Sequence, residues 1–153
     1  MQQDRARRTR EEVDCSLPPC KLYPSLYIVL EKQADGEPNH WSLFVAHENQ
    51  KGNQYQVHGD AENMHYLHAQ NVGLFSTENY FTSYSIVESV PPATEDLVRD
   101  CADSEPPPSA PNRAAVTENC QAWVCRVLTR LAQQGIVKEE KVASARRMVE
   151  PIN

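Results

Sequence analysis

The sequence predicts an α+β fold, with an antiparallel sheet of about four strands packed on helices. Up to Val90, short apolar runs alternate with period two. After "VPPA" the spacing becomes helical, with apolar residues three and four apart. Turn-forming clusters, not long crossover helices, separate the early runs, so neighbouring strands should join as hairpins.

Residues 1–20 are polar and charged and are expected to form a flexible tail; the basic cluster "RARRTR" at Arg5–Arg10 belongs to it. Residues 21–153 are expected to form one domain, a size that supports a real core without staples. "KLYPSLYIVLEK" is the first strand, with Leu26, Ile28 and Leu30 alternating against Tyr27 and Val29. "ADGEPN" is a turn, "HWSLFVAH" a second strand and "NQYQVHGD" a third, joined by "ENQKGN" as a hairpin loop. "TSYSIVESV" is a fourth. Between the third and fourth, residues 61–76 fit one or two helical turns as readily as anything else. "TEDLVRDCADS" reads as a short helix capped by Thr94. The proline-rich "EPPPSAPNR" is neither helix nor central strand. A helix from Thr117 to about Gly135 follows, then a mostly polar final helix over "KEEKVASARRMVE".

The net charge of -6 argues against a nucleic-acid partner, which usually meets a basic face. No apolar run reaches the roughly 18 residues that a membrane span needs, so no integral membrane segment is expected. No signal-peptide core opens the chain. Five cysteines, an odd number without zinc-type spacing, point to reduced thiols in the cytoplasm and not to a disulfide framework. Cys15 and Cys20 are close enough in sequence to pair, though nothing demands it.

The helix after Thr117 carries the first chemical signal. Cys120, Trp123, Val124, Val127, Leu128 and Leu131 share one helical face, so Cys120 turns with the apolar stripe towards the sheet. Cys125 is rotated about 140° from it. With Thr117 as N-cap, Cys120 is in the first turn, where free N–H groups and the macrodipole favour a thiolate. The bland alternative is a small core cysteine.

The hairpin carries the second. A loop centred near Asn49 and Gln50 pairs residues whose numbers sum to about 98–100, which puts His40 opposite His58 or Asp60. Two imidazoles at one end of a hairpin suit a base and its orienting partner. They also suit a metal, with His65, His68 and Cys120 as further ligands, but no tight ligand spacing supports a metal or any other cofactor. His65 and His68 otherwise read as polar loop residues.

"HWSLFV" at His40–Val45, "YQVHGD" at Tyr55–Asp60 and "NCQAWV" at Asn119–Val124, in that order, resemble the permuted papain-like fold of the lecithin:retinol acyltransferase-like family and NlpC-type relatives. In that family the histidine strands precede the cysteine helix. The resemblance implies Cys120 as nucleophile, His40 as general base and His58 as the third, orienting residue. It implies a cysteine-dependent hydrolase or acyltransferase, acting on an amide, ester or thioester of a small-molecule, acyl or peptidyl substrate through a thioester acyl-enzyme. Gln121-Ala122-Trp123 replaces the family's Glu-His-Phe, and the hydrophobic anchor of its lipid-acting members is missing, so the fold and thiol chemistry are expected to transfer without the lipid substrate. A papain-like binding protein without turnover is the competing expectation, and a histidine-based metal protein a third.

Overall fold

The computed structural model describes residues 22–152. The expected tail, with Arg5–Arg10, Cys15 and Cys20, lies outside the described residues.

The fold is α+β. Its sheet has five strands rather than about four: β1 Ser25–Glu31, β2 His40–Ala46, β3 Gly52–His58, β4 His65–Val72 and β5 Tyr80–Val87. They lie in the order β4-β3-β2-β1-β5, every neighbouring pair antiparallel. Three α-helices follow, α1 Pro92–Ser104, α2 Cys120–Gln133 and α3 Glu139–Met148. The additional strand, β4, comes from the ambiguous stretch. As an edge strand it buries little, and the side chains it turns towards the core side are Tyr66 and His68, so it lacks the aliphatic alternation that marks a strand.

β1 is buried on both faces, which explains its nearly unbroken apolar run. Leu26, Ile28 and Leu30 join Trp41, Leu43 and Val45 of β2, and Tyr55 and Val57 of β3, in the core beneath the helices. Tyr27, Val29, Phe44 and Ala46 form a smaller core on the opposite face. There Phe75, within a 3-10 turn at Leu74–Ser76, packs edge-on against Tyr27 and Phe44. The β2–β3 register runs Leu43↔Tyr55 to Ala46↔Gly52, a constant sum at the low end of the expected range. Gly52 closes this hairpin because a Cβ there would lie 2.2 Å from the Val45 carbonyl oxygen.

Helix starts differ from expectation. α1 begins at Pro92 behind Pro91, not at a Thr94 cap, because a proline ring presets the first-turn φ and its missing N–H is no loss there. α2 is capped by Asn119, not Thr117. Just past its end lies Gly135, whose φ of 76° lets the N–H groups of Gly135 and Ile136 return to Ala132 and Leu131. Cys125, off the main stripe, is buried all the same, because α3 packs against α2 from the other side.

One polar knot ties the helices together. Glu105, at the end of α1, is 7% exposed and accepts from Arg126 Nε and Arg130 Nε of α2, each at 2.6 Å. Its backbone oxygen accepts from Trp123 Nε1 at 3.0 Å. Burial alone would raise the Glu105 carboxyl, but the two guanidiniums outweigh it and hold it below the usual range. That stabilisation is present above the unfolded value of 4.5 and is lost as the pH falls through the lower folded value. Glu105→Gln should therefore cost about 3 kcal/mol at neutral pH, near the low end for a broken buried pair because both arginines still reach water. In urea denaturation the gap between variant and wild type should shrink below about pH 4.5; a gap independent of pH would contradict this account.

Candidate functional site

The site begins at the first residue of α2. Asn119 is extended, with φ −142° and ψ −160°, and its side-chain oxygen accepts the Gln121 N–H at 3.0 Å. Cys120 is thus the first helical residue. The stripe of Trp123, Val124, Val127, Leu128 and Leu131 is buried against the sheet and brings Cys120 down with it, leaving it 3% exposed. The backbone N–H of Trp41 donates to Cys120 Sγ at 3.4 Å.

Electrostatics at the sulfur differ from the sequence expectation. Desolvation pushes the Cys120 thiol up to about 11. The N–H groups of Trp41, Cys120 and Gln121 act the other way, and the Glu150 carboxylate adds a further upward push. Burial wins over the helix start, so the resting group is a thiol, not a thiolate.

His40 opens β2. Along that strand Trp41, Leu43 and Val45 face the helices and Phe44 and Ala46 face away, so alternation assigns His40 and Ser42 to the far face. Gln54, Gln56 and His58 of β3 have the matching parity, and extending the β2–β3 register sets His40 across from His58. The His40 ring, however, is hydrogen-bonded to Gln56, with Nε2 2.7 Å from Oε1. Gln56 Nε2 donates to Gln54 Oε1 at 3.2 Å, and Gln54 Nε2 donates to Ser42 Oγ at 3.1 Å. Ser42 and Gln54 are buried. With the amides oriented in this way the row presents a carbonyl oxygen to the ring, an orientation that goes with the proton on Nε2 and the free lone pair on Nδ1.

His58 does not bond the His40 ring among the described residues. It is exposed, opposite His65 of β4, their ring centroids 6.3 Å apart. Cys120, His40 and His58 nevertheless line one cavity of about 350 Å³, with Asn119, Met64, Val116 and Ile152. No hydrogen bond joins Cys120 to either histidine among the described residues. The proline-rich connector reaches the cavity at Arg113. It is stitched to the β3–β4 loop by Met64 N–H to the Pro108 oxygen at 3.1 Å and Ala110 N–H to the Glu62 oxygen at 2.9 Å. Arg113 holds the rim through Asp60 at 2.7 Å and Glu62 at 3.4 Å.

His65 and His68 are strand residues rather than loop residues, and His68 stacks on Tyr55 at 4.5 Å, away from the His58–His65 pair. Among the described residues no group of three or more His, Cys, Asp or Glu side chains is placed to hold a metal ion, and no helix is long and apolar enough to cross a membrane. Gln56 is the site residue that sequence reading missed. Its signal was available: it is two residues before His58, on the same strand face, within diagonal reach of His40.

A family model described as a family of unknown function, DUF6540, matches residues 26–138. The match spans well over half of the chain and includes His40, Gln56, His58 and Cys120, so the protein belongs to that family. No curated protein and no solved structure matches it.

The raised Cys120 thiol has a measurable consequence. A group whose folded value exceeds its unfolded value of 9.0 stabilises the fold below that pH, and the contribution is lost as the pH rises through about 11. The stability of wild type relative to Cys120→Ala should hold steady up to about pH 9 and then fall, by about 3 kcal/mol at most once the pH passes 11. Urea titrations at stepped pH measure it, and a flat difference would mean that Cys120 is already ionised or is hydrated.

Proposed function

We propose that this family member is a cysteine-dependent hydrolase or acyltransferase with a permuted papain-like arrangement, acting on an amide, ester or thioester through a thioester acyl-enzyme. The observation that carries the reading is that Cys120 and His40 line one cavity. Cys120 is the first residue of α2, in reach of backbone N–H groups. His40 is on the same cavity, with Nε2 engaged by Gln56, which leaves Nδ1 as the nitrogen free to take a proton.

Because the resting thiol holds its proton, His40 acts as a general base during attack and not as half of a standing ion pair. The Cys120 proton passes to His40 Nδ1 while sulfur bonds the substrate carbonyl carbon. The resulting oxyanion lies at the start of α2, where the Cys120 N–H points out of the helix; one such donor is worth about 3 kcal/mol. Collapse expels the leaving group, which takes the proton from His40 and leaves a thioester on Cys120. Water or another acyl acceptor then gives a proton to His40 and attacks the thioester, releasing the acyl product and restoring the thiol. The orienting role that the resemblance gives to His58 falls, on this geometry, to Gln56.

A papain-like binding protein without turnover is the second reading. It draws on the burial of Cys120 and on the absence of a hydrogen bond from its sulfur to His40. Iodoacetamide alkylation, followed for each cysteine by peptide mass spectrometry from about pH 4 to 10, separates the two readings. On the enzyme reading Cys120 reacts faster than Cys101 and Cys125, and His40→Ala removes that advantage by roughly 10²-fold or more. Gln56→Leu should cost more than His58→Ala. Equal rates at all three cysteines, unchanged in His40→Ala, would leave the binding reading.

A further inference from the structure

Gln121 follows Cys120 directly, and Asn39 directly precedes His40. These two residues are joined through a third, Glu150, which lies just beyond α3. Gln121 is fully buried, yet its amide is completely used. Its Nε2 donates to the Asn39 backbone oxygen at 2.8 Å and to Glu150 Oε1 at 2.9 Å, and its Oε1 accepts the Glu150 N–H at 2.8 Å. Glu150 Oε1 also accepts the Asn39 N–H at 2.9 Å. The backbone oxygen of Asn39 is therefore held by Gln121 of α2 and its N–H by Glu150 beyond α3, and a closed circuit of four hydrogen bonds joins the two segments that carry the base and the thiol. Two residues further on, Ile152 lines the same cavity as Cys120 and His40.

The amide at position 121 is matched to its partner. Only a group with two donors and an acceptor completes this circuit, and a glutamate there would set two carboxylates together in a buried space. The departure from the Glu-His-Phe pattern is thus compensated by Glu150. The helix does not need the circuit to stay docked, since Trp123, Val124, Val127 and Leu128 already bury its face.

We propose that Glu150 and Gln121 are positioning residues, whose clamp fixes the His40 segment against the first turn of α2 and so sets how His40 meets the Cys120 thiol. This rests on the thiol-enzyme reading above. The clamp acts through the backbone on either side of the reacting pair and touches neither reacting atom. A displacement of about 1 Å between base and nucleophile is enough to cost on the order of 10²-fold.

The test compares Glu150→Ala, Glu150→Gln and wild type, each with and without His40→Ala, reading the Cys120 alkylation rate by iodoacetamide and the thermal midpoint. Gln at position 150 retains an oxygen able to accept both N–H groups. Glu150→Ala should therefore lose roughly 10- to 100-fold of the His40-dependent rate, while Glu150→Gln stays close to wild type. The His40 dependence of the rate, read beside the thermal midpoint, is what a plain structural staple would not move; the pH profile reports the carboxylate charge. Removing the carboxylate charge lowers the thiol value, so the Glu150→Gln profile should shift to lower pH. Should Glu150→Ala melt early, Glu150→Asp keeps the charge while withdrawing the oxygen, and should show the same loss of rate. A His40-dependent rate in wild type that survives in Glu150→Ala, or that falls equally in Glu150→Gln, would overturn the clamp and leave the thiol reading intact. A wild-type rate with no dependence on His40 would overturn both.

Discussion

The seating of one face of α2 on the sheet is the constraint from which the cavity follows. Trp123 and the aliphatic residues around it can leave water only if the helix lies across β2 and β3. Once it does, the first helical residue falls beneath the start of β2, within reach of the Trp41 N–H. The location of the cysteine is thus a by-product of core packing. Glu105 reinforces the same seating from the other end of the contact, since it holds the Trp123 indole and two arginines of α2 at once.

That seating sets two electrostatic effects against each other. A helix start offers N–H groups that favour an anion, whereas a packed interface removes the water that an anion needs. At Cys120 the second effect is larger, and the thiol value rises. A cysteine at a helix N-terminus is therefore not automatically activated; its depth in the interface decides. In the mechanism proposed above, that depth calls for proton and sulfur to move together.

The parts of the structure legible in the sequence are those governed by period and turn chemistry. Leu26, Ile28 and Leu30, the Trp41–Leu43–Val45 row, and the stripe from Cys120 to Leu131 follow from alternation or helical spacing, and the hairpin register follows from its loop centre. β4 was hidden because Tyr66 and His68 do the packing that aliphatic residues normally advertise. The cap of α2 was misplaced by two residues because Thr117 and Asn119 are both good caps, and only the docked helix distinguishes them. Gln56 was overlooked for a chemical reason: an amide carries no titratable signal, while the nearby His58 does. Glu150 left no local trace at all, because its partners are far away in sequence.

That distance bears on how the protein is made. The bond between Asn39 and Glu150 closes a span of 111 residues, and contacts of such separation form late because chain entropy must be overcome first. On the ribosome, all five strands and the cysteine helix are synthesised before residue 150. A nascent chain can therefore hold a nearly complete sheet while the segments bearing His40 and Cys120 remain unjoined. Folding and maturation of the cavity are in this sense separate events, with the second waiting on the segment beyond α3.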